Sequence, residues 1–568
     1  MLGGRNVIGA CVLAALALST ANAQAPGAFQ DPPPPYRPAA GAKDLRSVLF
    51  NWAWYMGMLR GVDEHELVVS LEYQAKGTIQ VDGQPCTLTK YRVSNNYQTA
   101  GERVQYACTK PNGQSVSGIE VVNGPYAWNE DVLGAEIVAG KGKATPMPNA
   151  VAERLIRLWA SPQGAPKAAI AAAAVPTTEL GPNPGTQIND GVMKQGNTSL
   201  VWEGGKPVVT FPIPGADAIA TATLNAQYMA ERVVVKQGSA TTEFTYGDYR
   251  DWNNPLNKID AIYAGKITEN RNGTVVRELT TDQTETGSVY VIMPVPASVK
   301  AAIKVPASPS KINVSARPEP TPRMANGKPD MTGNWNSAAM NWRYGNRRCG
   351  PTQQEGCSRA LNQTMDFEFE APSRFGPNRP EYKPEYWDKI QQLDMWTNKY
   401  DPVMTCQPLG IPRQGPPRRI VQSANDIIFF YTQYADGGGG QGEYRIIPTD
   451  GRKHDPMKAI EAKYYGYTVG RWEGDTLVLD SIAFVDSTWL ARGGFFHSEN
   501  MHVIEKLTRE GDKIRYDVTV EDPDVLVEPW VMTPRTLTLS TNPEAGLLPE
   551  RGNCEVYELK DITSQIRH

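Results

Sequence analysis

Histidine is scarce in this chain, with five in 568 residues. Any two that fall close together therefore invite a chemical argument. Cysteine is nearly as sparse, at seven. No pair has Cys-x-x-Cys spacing, which argues against a thiol-redox or zinc–cysteine site. GxSxG, Walker A and HExxH are all missing, so the hydrolase and NTPase classes built on them lose their usual support. Beyond the N-terminus no stretch offers the ~18 consecutive apolar residues that a membrane span needs. Neither charge dominates: 57 Lys and Arg face 61 Asp and Glu, a net of −4. With no basic stripe, nucleic acid is excluded as an expected partner.

The N-terminus has the makeup of a signal peptide over residues 1–23. Arg5 supplies the positive region, Val7 to Leu18 is apolar, and Ala21-Asn22-Ala23 is a small-x-small cleavage site. The mature chain is expected to begin at Gln24 and to be periplasmic or secreted. Setting aside Cys11 leaves six cysteines, an even number that suits disulfides in an oxidising compartment. Cys86–Cys108, Cys349–Cys357 and Cys406–Cys554 are the preferred pairs among 15 possible connectivities.

The 51 glycines and 45 prolines cut the chain into short segments, which favours strands and turns over helices. Residues 24–42 form a Pro-rich tether. Residues 43–60 carry Leu45, Val48, Leu49 and Trp52 at helical spacing. Strand-like runs follow at 67–81, 87–96 and 103–110. A helical pair comes next, over 149–159 and from Lys167 to Ala174, broken at Ser161-Pro162-Gln163-Gly164. Asn149 is the expected N-cap, and Arg154 and Arg157 lie off the apolar stripe. Strands return from Leu200 to Gly287. Residues 303–330 read as a linker, so the domains are expected at 43–302 and 331–568. The second opens with Gly333-Asn334-Trp335, passes through an irregular stretch from Asn336 to Tyr400, and continues as about nine antiparallel strand candidates. Gly437 to Gly442 fits GxGxxG formally, but no helix follows it. It is expected to be a hairpin tip.

The words AVAERLIRLWASPQGAPKAAIAA, ATLNAQYMAERVVVKQG and TTEFTYGDYRDW, in this order, resemble the first half of a group of uncharacterised exported bacterial proteins similar to the lipoprotein carrier (LolA-like) fold. The resemblance covers roughly residues 43–300 and implies a curved antiparallel sheet with helices in its hollow and an apolar-ligand groove. CQPLGIPR, GYTVGRWEGDTLV, HSE and the following His502-Val503 resemble a second exported family, uncharacterised in activity, and the Gly-x-Trp opening is similar to that of lipocalin-like barrels. The fold class expected is therefore mostly antiparallel β: a LolA-like curved sheet with a few helices, then a lipocalin-like β-barrel or tight sandwich.

The sharpest chemical signal is His497-x-Glu499-x-x-His502. It sits in the loop delivered by a hairpin whose turn is Glu473-Gly474-Asp475. His497 and Glu499 share a face if extended, and a bend could bring in His502, with His454 as a third imidazole. His497, Glu499 and His502 could hold a divalent metal such as zinc. Alternatively His497 is a general base oriented by Glu499 or Asp486. The plain alternative is that these groups only pin the loop to the barrel rim. Tyr467, Arg452, Arg471 and Trp489 are candidate ligand contacts, although arginines near turn aspartates commonly pair with them, and Trp472 and Trp489 suit a core. Three functions remain open. One is an enzyme of hydrolase or lyase type acting on an apolar or aromatic small molecule, another a carrier of a lipid or similar apolar ligand, and the third an envelope interaction protein. Clustering of histidines in a His-poor chain favours the first.

Overall fold

The computed structural model describes residues 41–58, 70–97, 99–173, 197–252, 262–286, 290–303, 320–337, 379–431, 443–491, 493–532 and 534–542. The signal peptide, nearly all of the tether, much of the linker, the glycine tip, and Cys349, Cys357 and Cys554 lie outside these. No helix among the described residues is long and apolar enough to cross a membrane.

The protein is mostly antiparallel β and divides its strands between two sheets. The first is built from β1 (Ser70–Val81), β2 (Gln84–Asn96), β3 (Gly101–Thr109), β4 (Ser115–Asn123), β5 (Tyr126–Glu130) and β6 (Ala144–Pro146). A second run supplies β7 (Ser199–Glu203), β8 (Lys206–Pro212), β9 (Ile219–Leu224), β10 (Ala230–Gln237), β11 (Ala240–Asp251), β12 (Ile262–Arg271) and β13 (Thr274–Thr286). Each run is a meander, and β1 pairs with β13 to join them into one 13-stranded sheet. Three helices lie against it: α1 (Leu45–Tyr55), α2 (Val151–Ala160) and α3 (Gly164–Ala173). Helix α2 touches β3 and β4 on one side and β10 on the other, with five strands between β3 and β10 in the sheet order, so the sheet wraps around the helix.

This wrapping explains two departures from the sequence reading. Arg154 and Arg157 are buried, because the sheet covers the polar side of α2 as well as its apolar stripe. Arg157 pairs with Glu102 at 2.6 Å and Glu120 at 3.1 Å, and Arg154 donates to the carbonyls of Val121 and Trp128. Asn149 is not the N-cap. It lies inside a 3₁₀ turn, Pro148–Ala150, and no side chain caps α2. By contrast α1, within the helix expected over 43–60, has a side-chain cap, with Asp44 accepting the Ser47 N–H at 3.0 Å. Its buried face, including Val48, Leu49 and Trp52, joins Phe211, Ile170 and Leu155 in the first core. Each such side chain contributes roughly 1.5–3 kcal/mol of burial. Cys86 and Cys108 form the expected disulfide across β2 and β3. Cys406 is disulfide-bonded too.

After α4 (Ala297–Ala302) the second sheet begins with β14 (Gly333–Ser337). Two helices follow where the sequence suggested an irregular stretch: α5 (Trp387–Met395) and α6 (Thr397–Tyr400). Trp387, Ile390 and Asp394 of α5 are buried, a helical spacing. The strands are β15 (Arg419–Gln422), β16 (Asp426–Tyr431), β17 (Glu443–Pro448), β18 (Tyr467–Glu473), β19 (Thr476–Ile482), β20 (His502–Glu510), β21 (Lys513–Glu521), β22 (Trp530–Val531) and β23 (Arg535–Leu539). The order β17-β16-β15-β14-β23-β21-β20-β19-β18 runs almost full circle. Its two ends meet where the Gly451 N–H bonds the Gly470 carbonyl at 3.0 Å and Arg445 donates to Thr468 at 2.9 Å, giving a nearly closed barrel. Trp335, on β14, is fully buried, with the Arg509 guanidinium 5.1 Å above its ring. The β18–β19 turn takes two residues, with Gly474 at φ 61° as the sequence required.

The segment from Tyr290 to Met293 runs between the two sheets. Asn96, Arg103 and Asn123 donate to the carbonyls of Val291, Ile292 and Met293 at 2.8, 3.1 and 2.7 Å. Val291 and Met293 enter a small core with Val121 and Trp128, while Tyr290 belongs to the barrel core.

Candidate functional site

The wall of β18 to β21 carries one set of side chains inward and another outward, because alternate residues face opposite sides of a strand. On β20 the buried positions are Val503, Glu505, Leu507 and Arg509, and the partly exposed ones begin with His502. On β19 the inward set includes Leu477, Leu479 and Ser481, which leaves Asp480 on the outside.

Register then assembles an outer row. His502 stands directly opposite Glu521 on β21, and Asp480 opposite Ile504, two residues along β20 from His502. His502 Nε2 lies 3.0 Å from Asp480 Oδ1, and its Nδ1 lies 3.0 Å from Glu521 Oε2. His454, from the loop after β17, places Nε2 2.8 Å from the same Asp480 Oδ1. Hydrogen bonding to His502 is the main force lowering the Asp480 carboxyl, to about 2. Asp480 is therefore an acceptor only, and both imidazoles present an N–H to it. Carboxylates at both ring nitrogens favour the protonated ring of His502. Its pKa is raised, chiefly by the bond to Asp480. His454 has its proton fixed on Nε2, and its Nδ1 is buried with no hydrogen-bond partner among the described residues. Tyr467 packs edge-on against the His454 ring at 5.0 Å, and its hydroxyl accepts the Asp455 N–H at 3.3 Å. Arg471 pairs with Glu473 at 2.7 Å and reaches within 3.9 Å of Asp480 Oδ2.

The other expected residues separate from this row. His497 is buried (3 % exposed) against the Phe484 ring, with Nδ1 2.7 Å from the Ser498 carbonyl and Nε2 2.7 Å from Thr488 Oγ1. Burial lowers its pKa. The expected convergence of His497 and His502 is thus corrected: one imidazole enters the core, the other leaves the barrel wall. Glu499 is exposed and bonded to neither. The set His497, Glu499 and His502 does not assemble as metal ligands, and among the described residues no three His, Cys, Asp or Glu side chains are grouped to hold a metal ion. Asp486 is exposed and makes no hydrogen bond to His497, on which it acts through its charge alone. Arg452 is exposed and forms bidentate bonds with Asp450. Trp489 is buried beneath Arg413, away from the row.

The inner face of the same strands holds a second polar group that the sequence reading missed. Arg445 Nη2 lies 2.7 Å from Glu505 Oε2, both nearly inaccessible to water. Tyr516 donates to Glu505 at 2.7 Å, and Arg445 donates to the Tyr431 hydroxyl at 3.1 Å and to Ser481 at 3.3 Å. Burial opposes the Arg445 charge, and Glu505 more than offsets it, so its pKa stands above the ordinary value. The available signal was phase: Glu505 falls on the apolar beat of Val503 and Leu507. Asp480 gave a weaker one, since only pairing register brings it to His454 and His502.

No protein-family model matches the chain, and no curated protein matches it.

Proposed function

We propose that this protein is an exported acid/base enzyme, of hydrolase or lyase type, acting on an apolar or aromatic small molecule at the outer wall of the barrel. The observation that carries the reading is the single Asp480 oxygen shared by the Nε2 atoms of His454 and His502. In this reading the loop that carries His454 shifts to open its buried Nδ1, which then takes the proton from water or substrate. Asp480 holds the ring in the required tautomer and stabilises the imidazolium that forms. His502, fixed between two carboxylates, positions Asp480. Arg471 offers a half-exposed guanidinium to an anionic or developing negative group. Met457 and Ile460, highly exposed on the loop that carries His454, support an apolar substrate. Hydrolysis of 4-nitrophenyl butyrate tests the idea. His454→Ala is expected to lose roughly 10²–10⁴-fold. A wild-type rate no better than free imidazole, or an undiminished His454→Ala, overturns it.

A second reading, an apolar-ligand carrier, is favoured by the way the first sheet wraps α1, α2 and α3, as the LolA-like resemblance implies. Mass spectrometry of an organic extract of the purified protein tests it. A stoichiometric lipid supports this reading, and an empty extract rejects it.

A further inference from the structure

A cavity of about 510 Å³ opens where the first sheet meets helix α5, far in sequence from the imidazole row. That volume is ordinary for a small-ligand site, ~300–1,000 Å³. One wall is sheet, with Glu72, Gln74, Arg92 and Gln283, and the other is α5, with Asp388 and Gln391. The sheet wall contains a β-bulge. Gln74 pairs with Gln283, but the next residue, Ala75, pairs with Thr281, so Asp282 is extra on β13. Bulges re-aim side chains and recur next to binding sites.

The guanidinium of this cavity is already engaged by its own acidic groups. Arg92 Nη2 bonds Glu72 at 2.9 Å, Asp388 at 2.9 Å and the Gln391 carbonyl oxygen at 3.3 Å. The Lys389 amine sits over the Phe496 ring, 3.5 Å from its centroid. What the walls offer is amide chemistry. Gln74 Nε2 donates to Gln283 Oε1 at 3.2 Å, which leaves the Gln74 oxygen, its second N–H and both N–H donors of Gln283 for a ligand. Gln391 is held in place by its bond to the Tyr290 carbonyl at 3.3 Å.

We infer that this cavity is a binding site for a neutral polyhydroxylated ligand, a saccharide of two or three rings. Planar amides and carboxylates each present two polar atoms side by side, which fits a pair of vicinal hydroxyls. An anion would meet Glu72, Glu285 and Asp388 with Arg92 already engaged. An apolar ligand would find only Met395 and the edge of Tyr73, itself nearly buried. An extended peptide needs a free strand edge, and here β1 and β13 are paired on both sides. Because the walls come from both halves of the chain, the saccharide would also tie the first sheet to α5.

Isothermal titration of the intact protein with maltotriose, cellotriose and chitotriose tests this site, with trigalacturonate and inorganic phosphate as charged probes. Saturable binding of at least one neutral trisaccharide is expected. It should weaken at least tenfold in Gln74→Ala and in Gln391→Ala, and stay unchanged in His454→Ala. Gln74 is exposed, so its variant should fold as wild type, and its circular dichroism checks this. Three outcomes overturn the proposal: no neutral sugar binds, binding survives in both glutamine variants, or only the charged probes bind.

Discussion

The two faces of β19 and β20 handle charge in opposite ways. Outside, Asp480 and His502 are partly exposed; inside, Arg445 and Glu505 are sealed among Tyr431, Tyr516 and Ser481. The strands are the same and only parity differs. Where water reaches, an ionic contact can change its protonation at small cost and so do chemistry. Where it does not, the pair is fixed and specifies how the barrel closes. Arg445 acts across the seam between β17 and β18, where no backbone ladder does that work.

Removing one inner partner should be the most damaging change. Glu505→Ala is expected to cost ~3–5 kcal/mol in urea unfolding, because it leaves a buried guanidinium unpaired. Arg445→Met combined with Glu505→Leu should recover most of that loss. A double variant as unstable as the single one would show that Arg445 and Glu505 are not coupled.

Outside, Asp480→Asn should cost less, about 1.5–3 kcal/mol, as charge-assisted hydrogen bonds to two imidazoles are lost. It should also move the His502 titration downward in NMR. A His502 titration that does not move would dissolve the row as a unit.

Histidines 497 and 502 give opposite pH dependences. His502 has a raised folded pKa, so its contribution is complete below its ordinary 6.5 and disappears as pH rises through the folded value. His497 has a lowered pKa, so it opposes folding as pH falls below 6.5. Asp480, lowered from 3.8 to about 2, contributes above 3.8 and loses that contribution as pH falls towards 2. Stability measured from pH 5 to 8 should therefore rise with pH in His502→Ala relative to wild type. The reverse sign would mean that the two imidazoles had exchanged environments.

Arg471→Ala should be the mildest change, within about 0.5 kcal/mol in the same assay, since its pairing with Glu473 is half-exposed. If it nevertheless slows ester hydrolysis, Arg471 serves the reaction and not the fold.

Much of the architecture could be read from alternation. Strands such as Lys513–Glu521 and the hairpin around Gly474 show a clear period of two, and the Asp44 cap marks the start of α1. β4 to β6 escaped notice because Gly118 interrupts the first and the other two are very short. Gly118 is there because the Tyr106 ring occupies the space a Cβ would need. Helix α5 was hidden by the long irregular stretch before it. The site was half legible. His454 and His502 do meet, but through an aspartate 26 and 22 residues away from them, and only strand register can reveal such a partner. The expected union of His497 with His502 failed because the two lie on opposite sides of a turn. His497 packs into the core against Phe484 before the turn at residues 499–500, and β20 begins only after that turn, with His502 on its outer face.

The strap from Tyr290 to Met293 is gripped by its carbonyl oxygens, and every residue type supplies one. Sequence drift along this strap is therefore invisible to Asn96, Arg103 and Asn123, provided the side chains still fill their cores. The same clasp sets a rule for cutting the chain in two. A fragment ending at residue 286 would lose the strap and leave three donors open. One ending at residue 303 would keep its own lid.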